Sequence, residues 1–302
     1  MQALQSAQTF LLEAQRYENL SIYRDAEGEA LYMSMNARPR PCFSWSLVQD
    51  VLTFQKRFAA TVSSGPMPPR CLVWASENQS IFSLGGDLDL FQSLISTHDR
   101  KALHHYAEGC VDGLYNHMMA PDVVTVSILE GDALGAGFEV ALSSDIVIAE
   151  CGVRAGFPEV LFNLVPGHGA FYLLSRRIGP RAAEKMIRDG GVHTAEELHA
   201  LGLIDILVSK GEGRQALREL LQKQRKSWNS FQALQHIKRH HQPITREALM
   251  ASASIWVDAA MRLTDRNLRM MERLVNAQGK RVGLATPEAE TMQQEVCQAV
   301  AA

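Results

Sequence analysis

No apolar run in this chain is long enough to cross a bilayer, since a spanning helix needs about 20 such residues. Positive charge is not in excess either. The 30 Lys and Arg stand against 33 Asp and Glu, a formal net charge of -3, which offers no general basic field to nucleic acid. Cysteine is scarce. Cys42, Cys71, Cys110, Cys151 and Cys297 are scattered, odd in number and never in a CxxC pair. Free thiols in a reducing, cytoplasmic compartment are therefore expected. The first residues lack a basic n-region, and their short apolar patch leads to Glu13 and Arg16, so no signal peptide is read there. There is no GxSxG elbow to anchor a serine nucleophile, no HExxH, and neither GxxxxGK[ST] nor GxGxxG for a nucleotide. What is present is a chain of 302 residues, 46% hydrophobic and 21% charged, a balance that suits a folded domain with a sizeable core.

Residues 1–19 read as a leader with helical character. Two β-like runs, Leu20–Arg24 and Ala30–Met35, flank Asp-Ala-Glu-Gly, which signals a hairpin. Leu47, Val51, Phe54 and Phe58 fall at helical spacing in 45–62. A short buried strand is predicted at Cys71–Ala75. Residues 87–119 read as helical, with a break near Ser96–Arg100. Strand, tight loop and helix then recur: Val123–Leu129, the loop Gly131–Gly137 and a helix beginning at Phe138–Ser143. Asp145–Ala149 and Val153–Phe157 are predicted strands, and Pro158 and Glu159 open another helical element. The core is placed at 20–210 and a helical C-terminal region at 211–302, with Met250–Val275 predicted as one long helix.

Two glycine-bearing loops stand out, Phe82-Ser-Leu-Gly-Gly-Asp-Leu88 and Gly131-Asp-Ala-Leu-Gly-Ala-Gly-Phe-Glu139. Loops of this kind leave backbone N–H groups pointing into a cleft, and a helix start adds partial positive charge there. Glycine is also the default turn residue, so one loop alone signals little. Glu139 and Glu159 each fall in the first turn of a predicted helix, a position that the dipole favours for any carboxylate. Sharing one cleft, they would form an acid–base pair, one carboxyl kept protonated by the other. Spacing does not show that they meet. His168, in Pro-Gly-His-Gly-Ala, is placed in a loop, where it either reaches such a cleft or serves a structural role. His236 and His240 have the spacing of metal ligands, but Lys238, Arg239 and His241 beside them mark a solvated basic face, and no metal or cofactor is expected.

Taken together, four ordered blocks resemble the crotonase (enoyl-CoA hydratase/isomerase) superfamily. The Phe82–Leu88 loop resembles the one that supplies the first oxyanion-hole N–H. Leu134-Gly-Ala-Gly-Phe-Glu-Val-Ala-Leu resembles the one that supplies the second and carries the first glutamate. Phe157-Pro-Glu-Val-Leu-Phe-Asn-Leu-Val-Pro-Gly-His-Gly-Ala resembles the block carrying the second glutamate, and His193-Thr-Ala-Glu-Glu-Leu-His-Ala-Leu-Gly-Leu-Ile-Asp the segment that follows. Within the superfamily, Glu-Val-Leu-Phe-Asn-Leu, the Leu-Gly-Gly-Asp-Leu-Asp-Leu-Phe loop, Ile255-Trp-Val-Asp-Ala-Ala-Met-Arg-Leu and Met271-Glu-Arg-Leu-Val-Asn-Ala-Gln are similar to the diffusible signal factor synthases of bacterial quorum sensing.

That resemblance implies an α/β, crotonase-like (ClpP/crotonase) spiral of β-β-α units with a helical C-terminal region that closes an acyl pocket and makes a homotrimer. It implies dehydration of a 3-hydroxyacyl group on acyl carrier protein and thioester cleavage, giving a cis-2-unsaturated fatty acid. Carried over, Glu139 and Glu159 are catalytic, and the N–H groups of Gly86 and Ala136 form the oxyanion hole. Gly85, Leu134, Gly135, His168, Trp256 and Leu274 contact substrate. It also implies a regulatory signalling-sensor partner. Ala136 stands where hydratases usually have glycine, and His168 where a close relative carries an apolar residue. Lys223, Arg225, Lys226, Lys238 and Arg239, read as lying beside the pocket helix, are expected to dock the acidic carrier. The alternatives are an ordinary enoyl-CoA hydratase or isomerase, against which the absence of lysine in Ser80–Phe91 counts, and a non-catalytic scaffold.

Overall fold

The computed structural model describes residues 17–62 and 69–281. All but the last three residues of the expected leader lie outside the described residues, as does Cys297. The predicted hairpin is present as antiparallel β1 (Leu20–Arg24) and β2 (Ala30–Met35). In α1 (Trp45–Val62) the four apolar residues that predicted the helix are all buried.

A repeating unit follows, two short strands and then a helical segment. It runs β3 (Cys71–Ser76), β4 (Ile81–Ser83), α2 (Leu88–Ser96) and α3 (Arg100–Met118). The next turn is β5 (Val124–Leu129), β6 (Asp132–Leu134) and α4 (Ala136–Leu142). Then come β7 (Ile146–Glu150), β8 (Arg154–Gly156), a 3-10 helix (Pro158–Phe162), α5 (Ala170–Ile178) and α6 (Pro180–Asp189). Finally β9 (Val192–Thr194), α7 (Ala195–Ala200) and β10 (Ile206–Val208) complete the winding. In each repeat the first strand joins a six-stranded sheet, ordered β1-β2-β3-β5-β7-β10, and the second joins a four-stranded sheet, ordered β4-β6-β8-β9. The pairs from β2 to β10 in the large sheet are parallel, which the helical crossovers require. This is the predicted spiral of β-β-α units. The predicted break between α2 and α3 is also present, and there Asp99 caps α3 by accepting the Ala102 N–H at 2.9 Å.

The inner strands of the large sheet are buried and mostly apolar, with Thr125 and Ser127 among the exceptions, because both faces are covered. Side chains alternate with period two. Leu72, Trp74, Val147 and Ala149 point into the main core, while Val73, Val126, Ile128 and Ile148 point to the other face. There α8 (Gly213–Gln224) covers them with Ala216, Leu217 and Leu221, and α9 (Trp228–His241) adds Trp228 and Phe231. The predicted single helix over Met250–Val275 is two helices, α10 (Arg246–Ala260) and α11 (Asp265–Arg281). Thr264 ends the run: both its N–H and its hydroxyl donate to Asn267 Oδ1, at 3.0 and 2.8 Å, which starts a new helix. α10 packs on α3, and α11 packs on α2 and the 3-10 helix. Cys42, Cys71 and Cys110 are free thiols, but Cys151 is disulfide-bonded, against the expectation of free thiols throughout. Sequence spacing does not reveal which sulfurs come within bonding reach.

Candidate active site

The two glycine loops meet. The first leaves β4 at Leu84 and runs to α2. Its backbone is pinned on several sides: Leu84 N–H donates to Pro41 O and Phe43 N–H to Gly85 O, both at 2.8 Å. Gly85 N–H reaches Ser83 Oγ at 3.2 Å, and Asp87 N–H reaches the Tyr106 hydroxyl at 3.4 Å. That hydroxyl in turn donates to Phe43 O. None of these bonds uses the Gly86 N–H. Gly85 has φ +99°, and a Cβ on it would lie 2.9 Å from Leu134 O and 3.5 Å from Ala136 N, so only glycine allows the loops to touch.

The second loop leaves β6. Gly135 (φ +52°) caps α4, and Ala136 is the first helical residue, so its N–H has no acceptor in its own helix. A Cβ on Gly135 would stand 2.4 Å from Glu159 Oε1. This contact follows from sheet register. β6 pairs with β8 so that Leu134 faces Gly156, and Glu159 comes three residues later on the 3-10 helix.

Glu139, in α4, is fully buried. Its Oε1 accepts the backbone N–H groups of His168 and Ala170, each at 2.9 Å, and its Oε2 lies 3.2 Å from His168 Nδ1. Glu159 is set in the opposite way. The residue as a whole is half-buried, yet its Oε2 is shut off from solvent with no hydrogen-bond partner. Burial, and then the charge of Glu139, push the Glu159 carboxyl up to about 8. On His168 burial works against the charge, but neighbouring Cys110 and Glu139 outweigh it and the ring is pushed up to about 10. One carboxyl thus accepts two backbone N–H groups and faces an imidazole nitrogen, while the other favours its proton at neutral pH.

Both glutamates line one cleft with Gly85, Gly86, Gly135, Ala136, His168, Trp256 and Leu274. All but one of the site residues expected from the sequence meet here. Leu134 does not line the cleft. Its side chain packs with Cys42, Ile81 and Leu84, and its backbone carbonyl faces Gly85. Trp256 from α10 is buried over Gly167, where a Cβ would come within 2.6 Å of the indole. It also packs edge-on to Phe91, with ring centroids 5.1 Å apart. Leu274 comes from α11, so the break after α10 brings two helices to the pocket rather than one. Phe91, Phe162, Leu164 and Tyr106 were not singled out in the sequence, where they look like any apolar helix or turn residue.

The basic residues expected beside the pocket are elsewhere. Lys223, Arg225, Lys226 and Lys238 are exposed on or beside α8 and α9, which cover the far face of the large sheet. Arg239 is buried: its Nε donates to Asp145 Oδ1 at 2.9 Å, and its Nη groups bond Ala120 O and Val123 O. It is a structural ion pair, hidden from any docking partner. His240 is exposed, and no group of three metal-binding side chains occurs among the described residues. No helix among the described residues is long and apolar enough to cross a membrane.

The family model for enoyl-CoA hydratase/isomerase matches residues 69–279, and the chain belongs to that family. It is 27% identical to the crotonyl-CoA hydratase of Syntrophomonas wolfei over 65% of this chain and 71% of that protein. It is 34% identical over 135 residues to the peroxisomal fatty acid beta-oxidation multifunctional protein AIM1 of Arabidopsis thaliana, covering 45% of this chain and only 18% of that protein. In fold it is similar to human mitochondrial delta3-delta2-enoyl-CoA isomerase, with a TM-score of 0.72 and 17% identity over 88% of this chain and all of that one. The spiral is therefore crotonase-like.

Proposed function

We propose that this chain converts a 3-hydroxyacyl group carried on acyl carrier protein to a free cis-2-unsaturated fatty acid, by dehydration and then thioester cleavage. The observation that carries the reading is the pair of oppositely set carboxyls in one apolar cleft beside two unused N–H groups. The thioester oxygen sits between the N–H groups of Gly86 and Ala136. As the C2 proton leaves, charge builds on that oxygen, and each fixed donor stabilises it by about 3–4 kcal/mol. Glu139, held as a carboxylate, takes the C2 proton. Glu159 gives its proton to the departing 3-hydroxyl, which leaves as water. The two carboxyls have then exchanged states. Glu159, now a carboxylate, draws a proton from an attacking water, and the same N–H pair holds the tetrahedral oxygen. Collapse expels the carrier thiolate, which takes the proton from Glu139.

A carrier-bound substrate is favoured over a free CoA ester by what surrounds the first loop. Arg40, beside it, is committed to Asp87 and Asp89, with contacts of 3.3 and 2.6 Å, leaving less charge for CoA phosphates. An acyl chain would lie along Trp256 and Leu274, each buried methylene contributing about 0.8 kcal/mol. A regulatory sensor partner and a trimeric assembly belong to the same proposal. Pull-down from the native host tests the first and sedimentation the second. Glu139→Gln and Glu159→Gln, each keeping shape without proton exchange, are expected to stop release of the unsaturated acid. Near wild-type release by either variant, shown folded by circular dichroism, refutes the mechanism. The second reading, ordinary hydration or isomerisation of an enoyl-CoA by the same residues, is favoured by the relatives, which are named for that chemistry.

A further inference from the structure

His168 is the polar residue of this cleft whose contacts the chemistry above does not explain. It is buried, and its backbone N–H and ring Nδ1 both reach the Glu139 carboxyl, at 2.9 and 3.2 Å. The loop is shaped for this double contact. Gly167 makes room for Trp256, whose ring stands 5.8 Å from the imidazole, and Gly169 takes φ +122° so that Ala170 N–H also points at Oε1. We propose that His168 is a positioning residue: its Nδ1–H is the third donor on Glu139, keeping that carboxyl ionised and aimed, and so leaving the exchangeable proton of the cleft on Glu159.

Three groups converge on Glu139. Two are backbone N–H groups, which offer no acceptor to a protonated carboxyl. The remaining question is on which side of the Nδ1 contact the proton sits. The titratable groups facing the ring are Glu139 from α4, Glu159 from the 3-10 helix and Cys110 from α3. Burial opposes charge on the ring, but the neighbouring Cys110 thiol and Glu139 carboxyl favour its protonation, while Glu159 keeps its own proton. Its other nitrogen, Nε2, is buried with no hydrogen-bond partner in ordinary geometry, and the ring also borders a second, apolar chamber lined by Cys110, whose thiol acts on it. Nδ1 is therefore the nitrogen with polar work to do.

This inference rests on the two-glutamate reading, but its first test does not need turnover. Nitrogen-15 spectra of the histidine rings, with His168 assigned by its loss in His168→Asn, report directly which nitrogen carries hydrogen. A proton on Nδ1 at neutral pH is expected. A ring protonated on Nε2 alone would mean that Glu139 is the donor and neutral, and would overturn the proposal. The second test is kinetic, on whichever thioester reaction the protein performs. His168→Met is expected to lower kcat roughly tenfold to a hundredfold, as misaimed catalytic groups do. It also removes the charge that lowers the Glu159 carboxyl, so the alkaline limb of the pH profile moves up. His168→Asn, whose amide can stand where Nδ1 stands, restores most of the rate, whereas His168→Gln, which reaches to the place of Nε2, does not. Identical pH profiles for wild type and His168→Met refute the assignment. If Nδ1 is protonated but no 3-hydroxyacyl carrier protein is turned over, the proposed reaction falls and the contact to Glu139 stands.

Discussion

Replacing Glu159 by glutamine is expected to end the chemistry and yet to stabilise the fold at alkaline pH. The carboxyl lies at about 8 in the folded chain against an ordinary 4.5. Below about pH 4.5 the folded and unfolded chains both carry the proton, and the full stability is present. As pH rises from there, the unfolded chain releases its proton while the folded chain holds on, so every step upward favours unfolding. Above about 8 both states are ionised and the loss is complete. A separation of that size corresponds to roughly 5 kcal/mol. Glutamine avoids this loss, but its amide enters a place where Glu159 Oε2 finds no partner, which costs about 1–3 kcal/mol. The net gain at high pH is then about 2–4 kcal/mol. Denaturant melts of wild type and Glu159→Gln across this range measure it directly. The difference between them should grow in favour of the variant from about pH 5 to about pH 9. Parallel curves would show that Glu159 titrates normally, and the account of it as the resident acid would fail.

Gly135→Ala should remove activity without replacing a reacting group, because its Cβ would fall 2.4 Å from Glu159 Oε1 at a φ of +52° and displace that carboxyl; wild-type kcat in this variant would contradict the placement of the acid. Trp256→Ala should lower stability by roughly 3–5 kcal/mol and change the preferred acyl length, as read by competition among thioesters. A loss of stability with the same preference would assign the indole to core packing alone. Arg239→Ala strands Asp145 in the interior and should cost about 3–5 kcal/mol in a denaturant melt, with KM for acyl carrier protein unchanged in the remaining folded protein. A raised KM would restore this residue to the docking surface.

Much of the site was legible because its parts lie in contiguous blocks with their own local signatures. A glycine pair after a strand and a glycine before a helix announce backbone groups that must be left free, and both loops are where those signatures put them. What spacing could not show is that Glu139 and Glu159 share a cleft. The pairing of β6 with β8 does that, and neither three-residue strand is long enough to be marked by its own periodicity. The C-terminal helix was misread because the apolar period runs on through Met261 and Leu263, while a single capping contact at Thr264 breaks it. The basic cluster misled for another reason. Residues close in sequence to the pocket helix lie on the opposite face of a sheet, and Arg239 looks like its exposed neighbours until its buried partner Asp145 is seen. Leu134 shows the same limit: a residue in a motif can serve through its backbone while its side chain packs elsewhere.

The account is tested most directly by offering the protein a 3-hydroxyacyl carrier protein and, separately, a trans-2-enoyl-CoA of the same chain length, and identifying the products by mass spectrometry. Free cis-2-unsaturated acid from the carrier-bound substrate, lost in both glutamine variants, is the predicted result. Hydration of the enoyl-CoA to its 3-hydroxyacyl ester, with no acid released from the carrier, would contradict it.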